Sequence, residues 1–283
     1  MTATDHRDTR TEATTPPGSS RGPRKTWSDV LVLTRRDLRH TIRDPFEVII
    51  ALTMPLMMIL LFGYMFGDVM AHTGAEDYRA FLVPAMLAMV MLYGIAGTAS
   101  SIARDTRREV MSRFRSMPMS PMALLGARAL TDMLRATVEI VLLLGCGVLM
   151  GWRFEDGPVN ALAAVGLLLL FRFSLVWLGV LAGLMLPQPD AASMLVYPLA
   201  FPLTMVSTSL MPTTAMPSWV APIADWNPLS AVVTATRGLF GNETLPSDAW
   251  PAENALALAL IVPAVILVVC VPASLRRFRA LSD

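Results

Sequence analysis

The chain is poor in the residues that perform covalent and hydrolytic chemistry. It has three histidines (His6, His40, His72), two cysteines (Cys146, Cys270) and a single lysine, Lys25, which lacks the preceding glycine of a phosphate loop. It contains no HExxH, no GxSxG and no clustered Cys/His set. Each cysteine lies inside an apolar run and reads as a small, soft hydrophobe, so neither a disulfide framework nor a metal set follows. A membrane-embedded enzyme is disfavoured for the same reason. The chain is expected to bind no cofactor of its own, and any ATP that drives it has to be used by another polypeptide.

Charge is scarce as well. Only 16% of the 283 residues are charged, against 54% hydrophobic. Mean hydropathy is +0.53. The formal net charge of +1 gives no footprint for nucleic acid, because the positive residues form separate blocks beside apolar runs rather than one solvated face.

What the chain has in quantity is apolar length. Runs of about 20 residues, the length that crosses a ~30 Å hydrocarbon core, recur at about 46–66, 80–103, 121–150, 158–186, 191–211 and 254–272. They predict an all-α integral membrane protein with six transmembrane helices. Residues 1–26, rich in Thr, Arg, Pro, Gly and Ser and without an apolar signal core, read as a disordered cytoplasmic tail. Residues 27–283 then form one transmembrane domain. Trp27 to Arg43 is amphipathic, with Trp27, Val30, Leu31, Leu38 and Ile42 opposite Arg36, Arg39 and Arg43, which describes an interfacial helix or an ordinary helix packed on a core. Between the fifth and sixth runs, residues 212–251 hold many prolines, three tryptophans and apolar pieces too short to span, which suggests short re-entrant or interfacial helices on the outer face.

Orientation follows from the cations. Nine Lys and Arg precede the first run, seven lie in and just after the loop between the second and third, and three close the chain, 19 of the 23. By the positive-inside rule both termini and that loop are cytoplasmic, which an even number of spans satisfies.

Two internal charges stand out. Glu139 and Arg172 lie within apolar runs, about equally far from the turn near residue 154, so a hairpin would place them at similar depth as an ion pair. Such a pair ties two helices together or forms a polar patch on a substrate path. Arg128, Asp132 and Arg135, in the first turns of the third run, are expected at the cytoplasmic interface. The loop Arg104 to Pro121 (RDTRREVMSRFRSMPMSP) carries more than charge, because Val110, Met111, Phe114 and Met117 share one side of a short helix with Arg108, Arg113 and Arg115 around the rest. Arginines that only set topology would not need that stripe, which suits a helix docking in a partner's groove.

The run Arg113-Phe114-Arg115-Ser116-Met117-Pro118-Met119, preceded by Arg104-Asp105 and Glu109, resembles the coupling-helix region of ABC-2-type permeases, in particular the daunorubicin-resistance-like export permeases of actinobacteria. Trp226-Asn227-Pro228-Leu229-Ser230, followed by Arg237-Gly238-Leu239, is similar to that family's element before the last span. The resemblance covers Trp27 to Arg279. It implies a permease in the cell membrane that forms a dimer, most simply a homodimer, and is driven by two copies of a separate ABC ATPase. Arg104, Asp105, Glu109, Arg113, Phe114, Arg115 and Met117 would couple to the ATPase, and Asn227, Pro228, Arg237 and Gly238 would form an outer-face motif that helps close the exit. The expected cargo is a hydrophobic or amphipathic compound such as an antibiotic. Lipid or glycan export is the alternative within the family, and a stand-alone channel or proton-coupled carrier the alternative outside it.

Overall fold

A computed structural model describes residues 46–65, 78–107, 121–186, 188–242 and 249–282. The expected tail at 1–26, the interfacial helix at 27–43 and the docking helix Glu109 to Met117 lie outside the described residues. Every regular element among the described residues is helical: α1 (Phe46–Met65), α2 (Tyr78–Tyr93), α3 (Ile95–Arg107), α4 (Pro121–Leu149), α5 (Gly157–Met185), α6 (Pro189–Met205), a 3₁₀ turn (Thr213–Ala215), α7 (Ala221–Asp225), α8 (Pro228–Phe240), α9 (Trp250–Glu253) and α10 (Ala255–Ser282). Three stretches are long and apolar enough to cross a membrane: 78–106, comprising α2 and α3 together, 157–185 and 255–280.

The surface is apolar where a soluble protein would be polar. Ile261, Val265, Val268 and Val269 of α10, Met194, Leu199 and Phe201 of α6, and Met54, Met57 and Leu61 of α1 are all exposed. The charges of Glu139, Arg172 and Arg237 are buried instead. That inversion is what a lipid environment selects, since hydrocarbon solvates side chains like Leu and not unpaired ions.

α5 runs through the middle, packed on α10, α3, α8, α4 and α2. Its contact with α3 is close because of Gly179 and Gly183, a small-xxx-small pair. A Cβ on Gly183 would lie 2.5 Å from the carbonyl oxygen of Ala99, and one on Gly179 would lie 3.0 Å from the Cβ of Thr98. Pro158 falls at the start of α5, where its missing N–H is an orphan in any case.

Two helix ends differ from the sequence reading. The fifth apolar run was expected to stay helical to about residue 211, but α6 stops at Met205. The last was expected to end near 272, but α10 continues to Ser282 and carries Arg276, Arg277 and Arg279 on its final turns.

Between α6 and α10 the chain folds back as short pieces around α8, which packs on α2, α5 and α10. A knot at the end of α8 ties it to the α4–α5 turn. The indole Nε1–H of Trp152 donates to Oδ1 of Asn242 at 3.0 Å, and its ring meets Phe240 edge-on with centroids 5.0 Å apart. The amide of Glu155 donates to the Phe240 carbonyl at 2.9 Å. Gly241 caps α8 in the left-handed region (φ 74°), and a Cβ there would come within 2.7 Å of the Asp156 nitrogen, so only glycine closes this turn without displacement.

Candidate functional site

Two polar clusters are buried in the apolar body. The inner one centres on Arg172. Its Nε donates to Oδ2 of Asp132 at 2.9 Å and its Nη2 to Oδ1 at 3.0 Å, the two-pronged geometry that suits guanidinium and carboxylate. Its remaining arm, Nη1, donates to the carbonyl of Met91 at 3.0 Å. Thr98 adds a further hydrogen bond, Oγ1 to Asp132 Oδ1 at 3.2 Å. The guanidinium fits there because residue 94 is glycine: a Cβ on Gly94 would lie 1.4 Å from Nη1.

This overturns the expected Glu139–Arg172 ion pair. Glu139 is buried, as expected, but it accepts from Nε of Arg135 at 3.1 Å, one turn away on its own helix. Asp132, expected at the interface, is the residue that meets Arg172. At about 1.5 Å per residue from the hairpin ends, Arg172 lies ~22 Å deep, Asp132 ~26 Å and Glu139 ~15 Å. The arginine is nearer in depth to the aspartate. A turn centred near residue 154 makes Glu139 the nearer match to Arg172, whereas the helix ends at Leu149 and Gly157 centre it on 153 and make Asp132 the nearer one.

At the ends of these helices that flank the arginine-rich loop, Arg128 of α4 and Asp105 of α3 form an ion pair at 2.9 Å. Arg104 is exposed and donates to the Ser100 hydroxyl at 3.0 Å. These two helices flank residues 108–120. Of the seven residues expected to couple to an ATPase, Arg104 and Asp105 are therefore placed, whereas Glu109, Arg113, Phe114, Arg115 and Met117 lie outside the described residues.

The outer cluster is built by α8. Asn227 is its N-cap, with Oδ1 accepting from the Leu229 amide at 2.9 Å, and Pro228 follows at the first helical position. The Asn227 amide also donates to the carbonyl of Leu203 at 2.7 Å and to that of Val206. Ser230 accepts from the Thr208 amide at 3.0 Å. Arg237, two to three turns further along, donates Nη1 to Thr208 and Nη2 to Ser209 at 3.0 and 3.2 Å, and Nε to the Phe81 carbonyl at 3.0 Å.

Its guanidinium also stacks 3.6 Å from the Phe81 ring centroid. One face of α8 thus replaces the helical hydrogen bonds that the chain gives up after α6, which explains why that helix ends early. Arg237 is a buried cation held by backbone carbonyls and an aromatic face, an arrangement suited to joining three segments. Gly238, beside it, is exposed.

Sequence reasoning set the Asn-Pro and Arg-Gly elements together before the last span but did not see that both act on the end of α6. Asp132 was passed over, although its spacing from Arg128, Arg135 and Glu139 along one helical stripe was visible in the sequence.

No group of three or more metal-ligating side chains occurs among the described residues. What both clusters can do is hold helices in register.

Comparison with known proteins follows this geometry. The ABC-2 type transporter family matches residues 28–240. The chain is 30% identical over 239 residues to the daunorubicin resistance ABC transporter permease protein DrrB1 of Streptomyces coeruleorubidus, covering 83% of this chain and 80% of that one. It is 25% identical over 261 residues to the probable doxorubicin resistance ABC transporter permease protein DrrC of Mycobacterium tuberculosis, covering 90% and 89%. With the doxorubicin resistance permease protein DrrB of the same species it shares 27% identity over 195 residues, 68% of each chain. An apolar exterior, buried ion clusters and a family match over most of the length lead to one conclusion: the chain belongs to the ABC-2 type transporter family and is the membrane permease subunit of an ABC exporter, a non-enzymatic component that works with a separate ATPase.

Proposed function

We propose that this permease exports a hydrophobic or amphipathic, drug-like compound, such as an antibiotic, across the cell membrane. Two copies form a homodimer, each served by one of two ATPase subunits. Six spans cross the bilayer, at about 46–66, 80–103, 121–150, 158–186, 189–205 and 254–272 of a domain covering 27–283, with the tail at 1–26 and both termini cytoplasmic. α7 and α8 are short re-entrant pieces on the outer side. The chain uses no cofactor itself, and ATP is consumed by the partner.

The observation that carries this reading is the Asp105–Arg128 ion pair, which joins the two helices on either side of the arginine-rich loop. A helix docked in an ATPase cleft can do work on the membrane domain only if its two supports move together, and this joint supplies that. Glu109, Arg113, Phe114, Arg115 and Met117 make the contact with the ATPase. The cargo class is supported by relatives named for daunorubicin and doxorubicin resistance.

The test is co-purification with the cognate ATPase and ATP-dependent doxorubicin uptake into inside-out vesicles. Phe114→Ala and Arg113→Glu should weaken the complex and abolish uptake while leaving the permease in the membrane. Unchanged complex and uptake would refute the assignment.

A further inference from the structure

We infer that Asp132 is a positioning residue of the transport cycle: with Arg172 it forms a pivot at Gly94, about which the inner half of the second span, α3, moves relative to the outer half, α2. The inference rests on the reading that force enters through the loop following α3, and it goes beyond that reading by saying where the force is turned.

The second apolar run is not one helix. It is broken at Gly94, with α2 ending at Tyr93 and α3 starting at Ile95. The two halves keep partly different company. α2 packs on α1, α4, α5, α6 and α8, and its Phe81 is gripped by Arg237. α3 packs on α5 and α6, pressed against Gly179 and Gly183. Both halves share α5 and α6, while α1, α4 and α8 pack, of the two halves, mainly on α2.

A single side-chain pair holds both sides of the break. Above it, Arg172 Nη1 binds the Met91 carbonyl, which in an uninterrupted helix would accept from Ile95. Below it, Asp132 accepts from Thr98, in the first turn of α3. The two residues are joined to each other by two hydrogen bonds, Nε to Oδ2 and Nη2 to Oδ1. Gly94 leaves room for the guanidinium at the residue that separates α2 from α3.

Arg172 thus uses one arm on the outer half and two on the carboxylate that holds the inner half. At the far end of α3, the Asp105–Arg128 pair joins α3 to α4 again. Motion imposed at the cytoplasmic end is carried by α3 and α4 together, and it is turned at the point where Arg172 fixes the Met91 carbonyl. Asp132 sets the aim of that arm without touching cargo.

A structural tie and a pivot respond differently to exchanging the charges. Asp132→Arg combined with Arg172→Asp restores an ion pair, but a carboxylate at 172 cannot donate to the Met91 carbonyl. In the reconstituted permease–ATPase complex, with doxorubicin as the probe, the exchanged variant should assemble and hydrolyse ATP near wild-type levels. Doxorubicin moved per ATP should fall roughly tenfold, in the range of couplings that such networks carry. Recovery of transport together with assembly would overturn the pivot.

Thr98→Val, which leaves the ion pair intact and cuts only the inner contact, covers the case in which the exchanged variant fails to fold. It should lower doxorubicin moved per ATP several-fold at normal yield, and an unchanged ratio would overturn the inference. A wild-type complex that moves no doxorubicin would remove the proposed cargo, yet leave a cargo-independent reading. On trapping with ADP and vanadate, amide exchange should change across 95–107 and not across 78–93, and the Thr98→Val variant should lose that contrast. An equal change in both halves would refute the pivot.

Discussion

Arg237 holds Phe81 twice, stacking its guanidinium 3.6 Å from the ring centroid and donating Nε–H to the same residue's carbonyl at 3.0 Å. The residue that grips is on α8 and the residue gripped is near the start of α2, 156 positions earlier. With its other two arms on Thr208 and Ser209, this arginine joins α2, the segment after α6 and α8 at one point.

Lysine cannot reproduce that joint, since an ammonium group has no planar fork and no extended face to stack. Arg237→Lys should leave the chain inserted but lower its thermal unfolding temperature in detergent, and Arg237→Met should lower it further by exposing three carbonyls. Asn227→Ala removes an N-cap together with two bonds to the end of α6, a loss of about 1–2 kcal/mol. Faster amide exchange at 203–212 in both Arg237→Met and Asn227→Ala is the expected local signature. Exchange confined to 227–240 would show that α8 does not support α6.

The reassigned ion pair ranks three substitutions. Arg172→Met and Asp132→Asn each leave a buried group without its partner and should cost about 3–5 kcal/mol, with the double variant milder than either alone. Glu139→Gln should cost less, because Arg135 is partly exposed and can be resolvated. Yield of monodisperse protein and its melting temperature give the order. A Glu139 variant as damaged as the Arg172 variant would restore the original pairing.

The glycines of the apolar helices divide sharply. Gly183→Leu should prevent α3 and α5 from closing, since even a Cβ would sit 2.5 Å from the Ala99 carbonyl oxygen. Gly166→Ala and Gly97→Ala meet nothing within 4 Å and should be neutral or gain a few tenths of a kcal/mol from helix propensity. Parallel measurement of folded yield separates the two classes.

Trp152→Phe keeps an aromatic ring beside Phe240 but loses the hydrogen bond to Asn242 and part of the buried ring volume, for about 2–3 kcal/mol. Trp152→Ala should lose about 3–5 kcal/mol by opening a cavity at a fully buried site. A denaturation series comparing the two tests whether packing or polarity dominates this knot.

Much of the architecture could be read from periodicity and length. Apolar runs, and Pro158 at the start of α5, mark helices by chemistry that depends on neighbours in sequence. Contacts between distant segments were not legible in the same way. Gly94 and Gly97 look alike in the sequence, and only packing shows that one lies under a guanidinium while the other faces open space.

Asp132 looked interfacial because it sits early in its helix, but its depth depends on where the hairpin turn begins and ends. The shortening of α6 was hidden for a similar reason. Residues 206–211 are apolar enough to continue a span, and the side chains that end it come from 227–237.

The early stop of α6 also bears on the lipid around it. At about 1.5 Å per residue, its 17 residues reach ~25 Å, short of the ~30 Å hydrocarbon core that its 29-residue neighbour α5 exceeds. With α6 crossing the bilayer as proposed, its flank imposes a hydrophobic mismatch, which the surrounding lipid relieves by thinning. Under that reading, a lipophilic molecule beside α6 would meet headgroups sooner than one beside α5.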